Sequence, residues 1–255
     1  MMQLPASPSF RLDGRRAVVT GGSGGIGAAA GAALGRAGAH VTVVARREAE
    51  LQGVCDALRA EKISCDFIVL DVTRSADVDA ALASREPYDI LVNNAGMNRP
   101  LPLVEQSDED IDAVLALNVK AAFYMSRAVA RGLLASGAGG SIINVSSQMG
   151  HVGSPRRALY CASKHAMEGM TKALAWELGS ANIRVNSICP TFIDTPLTAP
   201  MFEKEGFRQW VCDRIALGRV GQVEEVMGAV VFLASEASSL MTGSALMLDG
   251  GWTAA

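Results

Sequence analysis

Two apolar rhythms alternate along the chain. Short β-branched runs at residues 16–20, 40–44, 66–70, 88–92, 141–145, 183–188 and 245–248 read as buried strands. Between them lie helix-forming stretches at 28–37, 47–60, 75–84, 107–135, 155–178 and 223–234. Strands alternating with helices, joined by right-handed crossovers, predict an α/β fold: a Rossmann-type doubly wound parallel sheet of about seven strands with helices on both faces. Residues 191–217 break the rhythm, with Pro196 and Pro200 interrupting a series of large apolar side chains from Leu197 to Trp210. Such an excursion suits a substrate lid, a subunit contact or plain helix packing. No linker or repeat divides the chain, so 1–255 reads as one nucleotide-binding domain with an N-terminal extension over 1–13.

Some positions refine this pattern. Ser107-Asp108-Glu109-Asp110 has the form of a capping box, and Pro155 suits a first helical turn. Asn118 stands among apolar residues of a helix that should face the sheet, so its amide needs a partner, either as a structural hydrogen-bonder or as a solvent relay.

Composition narrows the function. With 49% hydrophobic residues, 5% aromatics and 26 glycines, the apolar content is mostly aliphatic, as helices on a parallel sheet require. The net charge is −3 and the 23 basic residues are scattered, which argues against nucleic acid and against a polybasic membrane patch. The N-terminus lacks a signal-peptide core and no apolar run reaches the roughly 18 residues of a membrane span. Five cysteines without a C-x-x-C pair argue against a disulfide framework and fit a reducing compartment, so a cytoplasmic protein is expected. His40, His151 and His165 show no ligand-like spacing with each other or with cysteine, and no metal is expected.

The candidate chemistry begins after the first strand. Gly21-Gly22-Ser23-Gly24-Gly25-Ile26-Gly27 joins that strand to an alanine-rich helix, an order suited to cradling a pyrophosphate on backbone N–H groups and a helix N-terminus. The second strand ends at Ala45-Arg46, where a carboxylate would accept from a ribose 2′-OH. None is present, and Arg46 favours the 2′-phosphate of NADP, with NAD as the other possibility. Asp71 and Val72 close the third strand, where Asp71 can meet the adenine or cap a helix; Asn94, Ala95 and Gly96 close the fourth as a wall against the cofactor. Tyr160 and Lys164 are four residues apart, on one face of a helix, and Ser147 follows a strand end. Phenol, ammonium and hydroxyl together make a proton-transfer site, with Lys164 drawing the Tyr160 pKa toward working pH.

Taken together, Thr20-Gly21-x-x-x-Gly25-x-Gly27, Asn93-Asn94-Ala95-Gly96, Asn118, Ser147, Tyr160, Lys164 and the ending Thr242 to Gly251 resemble the short-chain dehydrogenase/reductase family over nearly the whole chain. The resemblance implies a catalytic tetrad of Asn118, Ser147, Tyr160 and Lys164. It selects Ser147, thirteen residues before Tyr160, over Ser146. Asn118 would hold a water linking Lys164 to solvent. Pro190, Ile193 and Thr195 would contact the nicotinamide side of the cofactor, while Thr191 stands where the family usually has glycine. The implied reaction is hydride transfer between NADP or NAD and a small carbonyl or secondary alcohol, a sugar, sugar acid or polyol, in a homotetramer or homodimer. Met97, Asn98, Arg99 and residues 148–157 should rim the substrate pocket, with Arg99 or Arg156 either binding an acidic substrate or simply solvated. The alternatives are a 3-oxoacyl thioester reductase and, in another class, a non-catalytic nucleotide-sensing protein.

Overall fold

Each predicted apolar run becomes a strand: β1 (Arg16–Thr20), β2 (His40–Ala45), β3 (Cys65–Val69), β4 (Ile90–Asn93), β5 (Gly140–Val145), β6 (Ile183–Pro190) and β7 (Ala245–Leu248). The computed structural model describes residues 4–254. All seven strands are parallel in one sheet of order β3-β2-β1-β4-β5-β6-β7. The helices are α1 (Gly25–Arg36), α2 (Glu48–Ala60), α3 (Ser75–Ala83), α4 (Asp108–Leu115), α5 (Ala121–Ser136), α6 (Ala158–Leu178), α7 (Ala199–Phe202), α8 (Phe207–Cys212) and α9 (Val223–Ala234).

The two-residue period of the strands divides the interior into two cores. Val19, Val43 and Val92 face α1, α2 and α9, while their neighbours Val18, Val44 and Leu91 face α3, α5 and α6. Each fully buried aliphatic side chain contributes about 1.5–3 kcal/mol. The order of strands reverses between β1 and β4, which pair at Val19 and Val92. Loops leaving their carboxyl ends diverge there and open the crevice in which such sheets bind ligands.

Local departures from the sequence pattern have physical causes. The sixth helix starts at Ala158 rather than Pro155, because Arg156 takes a left-handed φ of 60° that no helix can include. The long helix is broken by a π-turn over Ala116–Lys120, centred on Asn118. Only half of the capping box forms: Ser107 Oγ accepts from Asp110 N at 3.1 Å, while the Asp110 carboxylate pairs with Arg99 at 3.3 Å. The stretch Asp108–Ser136 is long enough and, over an 18-residue window, apolar enough to cross a membrane, although no such stretch was expected. Its apolar stripe of Met125, Val129 and Leu133 is buried against the sheet.

The irregular stretch folds as two short helices, α7 and α8, clustered around Phe192. Phe207 meets Phe192 edge-on at 5.7 Å and stacks on Trp210 at 5.8 Å, so these apolar residues are first of all a packing unit above the sheet. The N-terminal extension is not wholly outside the core, since Leu12 is 2% exposed and Phe10 lies 6.4 Å from Phe232; its first three residues lie outside the described residues.

Candidate active site

The glycine loop is held from behind by β4. Thr20 Oγ1 accepts from the backbone N–H groups of Asn94 and Ala95, both at 3.0 Å. Asn94 Nδ2 returns bonds to the carbonyls of Thr20 and Gly21 at 3.0 and 3.2 Å. The Asn94 side chain therefore braces the loop, while its neighbours Ala95 and Gly96 line the crevice. A Cβ on Gly27 would lie 2.2 Å from the Gly21 carbonyl oxygen and 2.5 Å from Asn94 Nδ2, so this position admits glycine alone. Gly21 itself sits at φ 62°. The loop thus fits a pyrophosphate: its backbone comes close to α1, whose unpaired N–H groups and dipole lie at the same end.

A cavity of about 280 Å³ runs along this loop, lined by Gly21, Ser23, Arg46, Asp71, Val72 and Gly96 among others. Arg46 is exposed and, among the described residues, pairs with no carboxylate, whereas Arg47 binds Glu50. Asp71 Oδ1 accepts from Thr73 N and Thr73 Oγ1 at 3.0 and 2.7 Å. These bonds, chiefly the hydroxyl, hold its carboxyl below the usual range, and the nearby Arg46 charge adds to them. This Asx-turn ahead of α3 takes up one of its oxygens.

A second cavity, about 130 Å³, shares Gly96 with the first and brings Ile26, Pro190, Ile193 and Thr195 to Ser147, Tyr160 and Lys164. Gly25, with Thr195 Cβ 3.7 Å from where its own Cβ would be, lies at the junction. Ser147 caps the turn that follows β5, accepting from Met149 N at 3.1 Å and donating to the Pro190 carbonyl at 3.4 Å. Tyr160 lies in the first turn of α6 and Lys164 one turn on, its Nζ 5.6 Å from the phenol ring centre. The ammonium donates to the Val145 carbonyl at 2.8 Å.

Electrostatics here differ from the expectation that Lys164 draws the Tyr160 pKa toward neutrality. Burial pushes the Tyr160 phenol up to about 12, against the opposing effect of the Ser147 hydroxyl. Burial likewise pushes Lys164 down to about 8, only partly countered by Cys189 and Glu168. Desolvation outweighs the pairing because the ammonium is committed to a backbone carbonyl and lies over the ring, not at the phenol oxygen.

Asn118 is fully buried with its amide satisfied. Oδ1 accepts from Met97 N at 2.8 Å, and Nδ2 donates to Met97 O at 2.9 Å and to Ser163 Oγ at 3.0 Å. These bonds tie the loop after β4 to α6.

Within the segment 148–157 expected at the pocket rim, the residue that sequence reasoning did not single out is Arg157. Only 7% exposed, it touches Met201 Sδ at 3.5 Å through Nη2, while Nη1 is buried without a partner. Burial pushes its pKa below the ordinary value. Asn98 Oδ1, Gln148 Oε1 and Thr191 Oγ1 are buried without partners as well. All four side chains line a further cavity of about 70 Å³ together with Ser147 and Tyr160. Arg99 is instead engaged with Asp110, Arg156 is exposed, and neither lines this cavity. A signal was present: Arg157 precedes Tyr160 by three residues, the spacing that places side chains on one face. Thr191, in the place of a glycine, adds a hydroxyl to the same wall.

A family model described as enoyl-(acyl carrier protein) reductase matches residues 21–253. Gluconate 5-dehydrogenase of Gluconobacter oxydans (strain 621H) is 40% identical over 248 residues, 96% of either chain. L-xylulose reductase of Bos taurus is 40% identical over 245 residues, 96% of this chain and 99% of that one. Among solved structures, a gluconate 5-dehydrogenase from Burkholderia cenocepacia J2315, in complex with NADP and tartrate, superposes with a TM-score of 0.93. It is 38% identical and the match covers 96% of this chain and 98% of that one.

Proposed function

The chain belongs to the short-chain dehydrogenase/reductase family and is an oxidoreductase using a nicotinamide cofactor, and on that premise we propose that it interconverts a keto and a secondary hydroxyl group of a sugar acid with NADP. The observation that carries the substrate is the buried guanidinium of Arg157 beside Ser147 and Tyr160, whose Nη1 has no partner and whose Nη2 meets only the Met201 sulfur. Removing a guanidinium from water without a counter-charge costs several kcal/mol, on the order of the penalty for any buried ion. A substrate carboxylate offsets that cost with charge-assisted bonds. Asn98, Gln148 and Thr191 offer the neighbouring hydroxyls their unpartnered atoms. The relatives named for gluconate, and the tartrate in the related structure, support an acidic polyol. Arg46, which makes no ion pair among the described residues and lines the cavity at the end of β2, supports NADP, as does the NADP of that related structure.

When bound, the nicotinamide supplies or accepts the hydride. Tyr160 O–H gives its proton to the substrate oxygen as the carbonyl carbon is reduced and recovers it from solvent; oxidation runs the same transfer backwards. A phenol held near 12 is fully protonated at neutral pH and thus loaded as the acid. Ser147 Oγ donates to the carbonyl oxygen and orients it. Lys164 holds positive charge beside the phenol, stabilising the phenolate as it forms, and Asn118 fixes the loop that closes the site.

The test is NADPH oxidation with 5-keto-D-gluconate, the neutral ketose L-xylulose and an acetoacetyl thioester in parallel. The keto acid should give the highest kcat/KM by at least about tenfold, a difference of roughly 1.4 kcal/mol. A thioester or neutral ketose that outpaces it overturns the reading.

A further inference from the structure

His151, Glu168 and Cys189 come from the turn after Ser147, from α6 and from the end of β6, and their ligand atoms meet beside Lys164. His151 Nε2 lies 3.5 Å from Glu168 Oε2 and 3.4 Å from Cys189 Sγ, and Sγ lies 3.5 Å from Glu168 Oε1. We propose that this cluster is a binding site for one thiophilic divalent cation of the Zn²⁺ class.

The triangle has the right size. Bonds of about 2.0–2.3 Å from zinc to N, O and S at tetrahedral angles place the ligand atoms roughly 3.3–3.6 Å from one another. The observed separations are of this size, and because His151 and Cys189 approach different oxygens of Glu168, a turn of the carboxylate brings one oxygen to the cation. An imidazole, a thiol and a carboxylate are also a donor set that suits zinc more than magnesium or calcium, whose ligands are oxygens. A separate observation points to the same space. Ser146 is 4% exposed, and its hydroxyl, without another partner, lies close enough to the Cys189 thiol to oppose the upward push of burial on it. It lies against this cluster: a Cβ on Gly150 would be 3.0 Å from Ser146 Oγ and 3.1 Å from Glu168 Cγ. Ser146 Oγ or a water can supply the fourth ligand, since the His151 side chain is 30% exposed and opens the site to solvent.

The balance of charge is simple. Glu168 brings its carboxylate, 7% exposed and bonded to Ser187 Oγ at 2.8 Å, and His151 the lone pair of a ring nitrogen. Burial pushes the Cys189 thiol up to about 12, so in the metal-free protein it keeps its proton. On binding, the S–H bond breaks, the sulfur lone pair goes to the cation and the proton leaves to solvent.

Untagged protein, stripped with chelator, tests the proposal with Zn²⁺ against a competing indicator dye and with Co²⁺ by absorption. One Zn²⁺ per chain should bind, releasing about one proton at pH 8. Co²⁺ should show a thiolate-to-metal charge-transfer band in the near-ultraviolet. Cys189→Ser and His151→Gln should each lose at least roughly tenfold in affinity, and His165→Gln, outside the cluster, none. Equal zinc affinity in the wild type and both cluster variants overturns the site. So does a Co²⁺ spectrum without the thiolate band, measured on the unmutated protein and thus independent of whether a variant folds.

Discussion

The two ends of the crevice are built on opposite plans. At the nucleotide end the wall is backbone: Gly27 leaves no room for a Cβ, and Asn94 and Thr20 spend their side chains bracing the loop. At the other end the wall is side chain: Arg157, Gln148, Asn98 and Thr191 each carry a buried polar atom that has no partner, beside Phe192, Leu197 and Met201. A common ligand part, a pyrophosphate, can be met by main-chain N–H groups that every residue carries. A particular substrate has to be met by particular side chains, and unsatisfied buried groups are the cost of keeping them ready.

The sharpest test of this contrast lies where the two ends join. Tyr160→Phe should lower kcat by about 10³–10⁴-fold while the nucleotide dissociation constant, read by fluorescence titration, moves less than about threefold. Substantial residual turnover would sink the assignment of Tyr160 as the proton donor.

At the substrate end, Arg157→Met should cut kcat/KM for a keto sugar acid by about 100-fold, the scale of losing one buried charge pair, and leave a neutral ketose within about threefold. A uniform loss on both substrates would make Arg157 a packing residue. At the nucleotide end, Gly27→Ala should weaken NADPH binding by at least about 30-fold, since the methyl group must displace main chain. An affinity unchanged by this methyl would show that the wall is not backbone after all.

Arg46→Ala should raise the KM for NADPH by about tenfold and leave that for NADH nearly constant, because an exposed guanidinium is partly screened. The smallest effect concerns pH. Lys164 holds its proton below about 8 and loses it above, so the ammonium is present on the acid side. The profile of kcat/KM for the nucleotide, which reports the free enzyme, should be flat below pH 8 and fall above it. A break near 10 would mean that burial does not depress this lysine.

Legibility follows the same division. The seven strands and the glycine loop were readable because short continuous apolar runs and strand–glycine–helix order are local properties. Ser147, Tyr160 and Lys164 could be named in advance, and the structure brings all three to one cavity. Their ionisation could not be, because desolvation depends on what surrounds them in space. The choice among Arg99, Arg156 and Arg157 was equally hidden. It turns on an ion pair with Asp110 and on the left-handed backbone of Arg156, which carries the chain into α6 with Arg157 facing inward. The π-turn at Asn118 escaped notice too, since the Met97 loop that uses the amide lies 21 residues away.

Sequence by itself determined the sheet, the crossovers and the backbone cradle, since each rests on periodicity or on glycine within a few neighbouring residues. Only the tertiary structure decided which arginine is buried beside Tyr160, which lysine and phenol are shifted and in which direction, and that His151, Glu168 and Cys189 share one space. Those outcomes depend on distances between elements far apart in the chain, and on burial, to which every packed neighbour contributes.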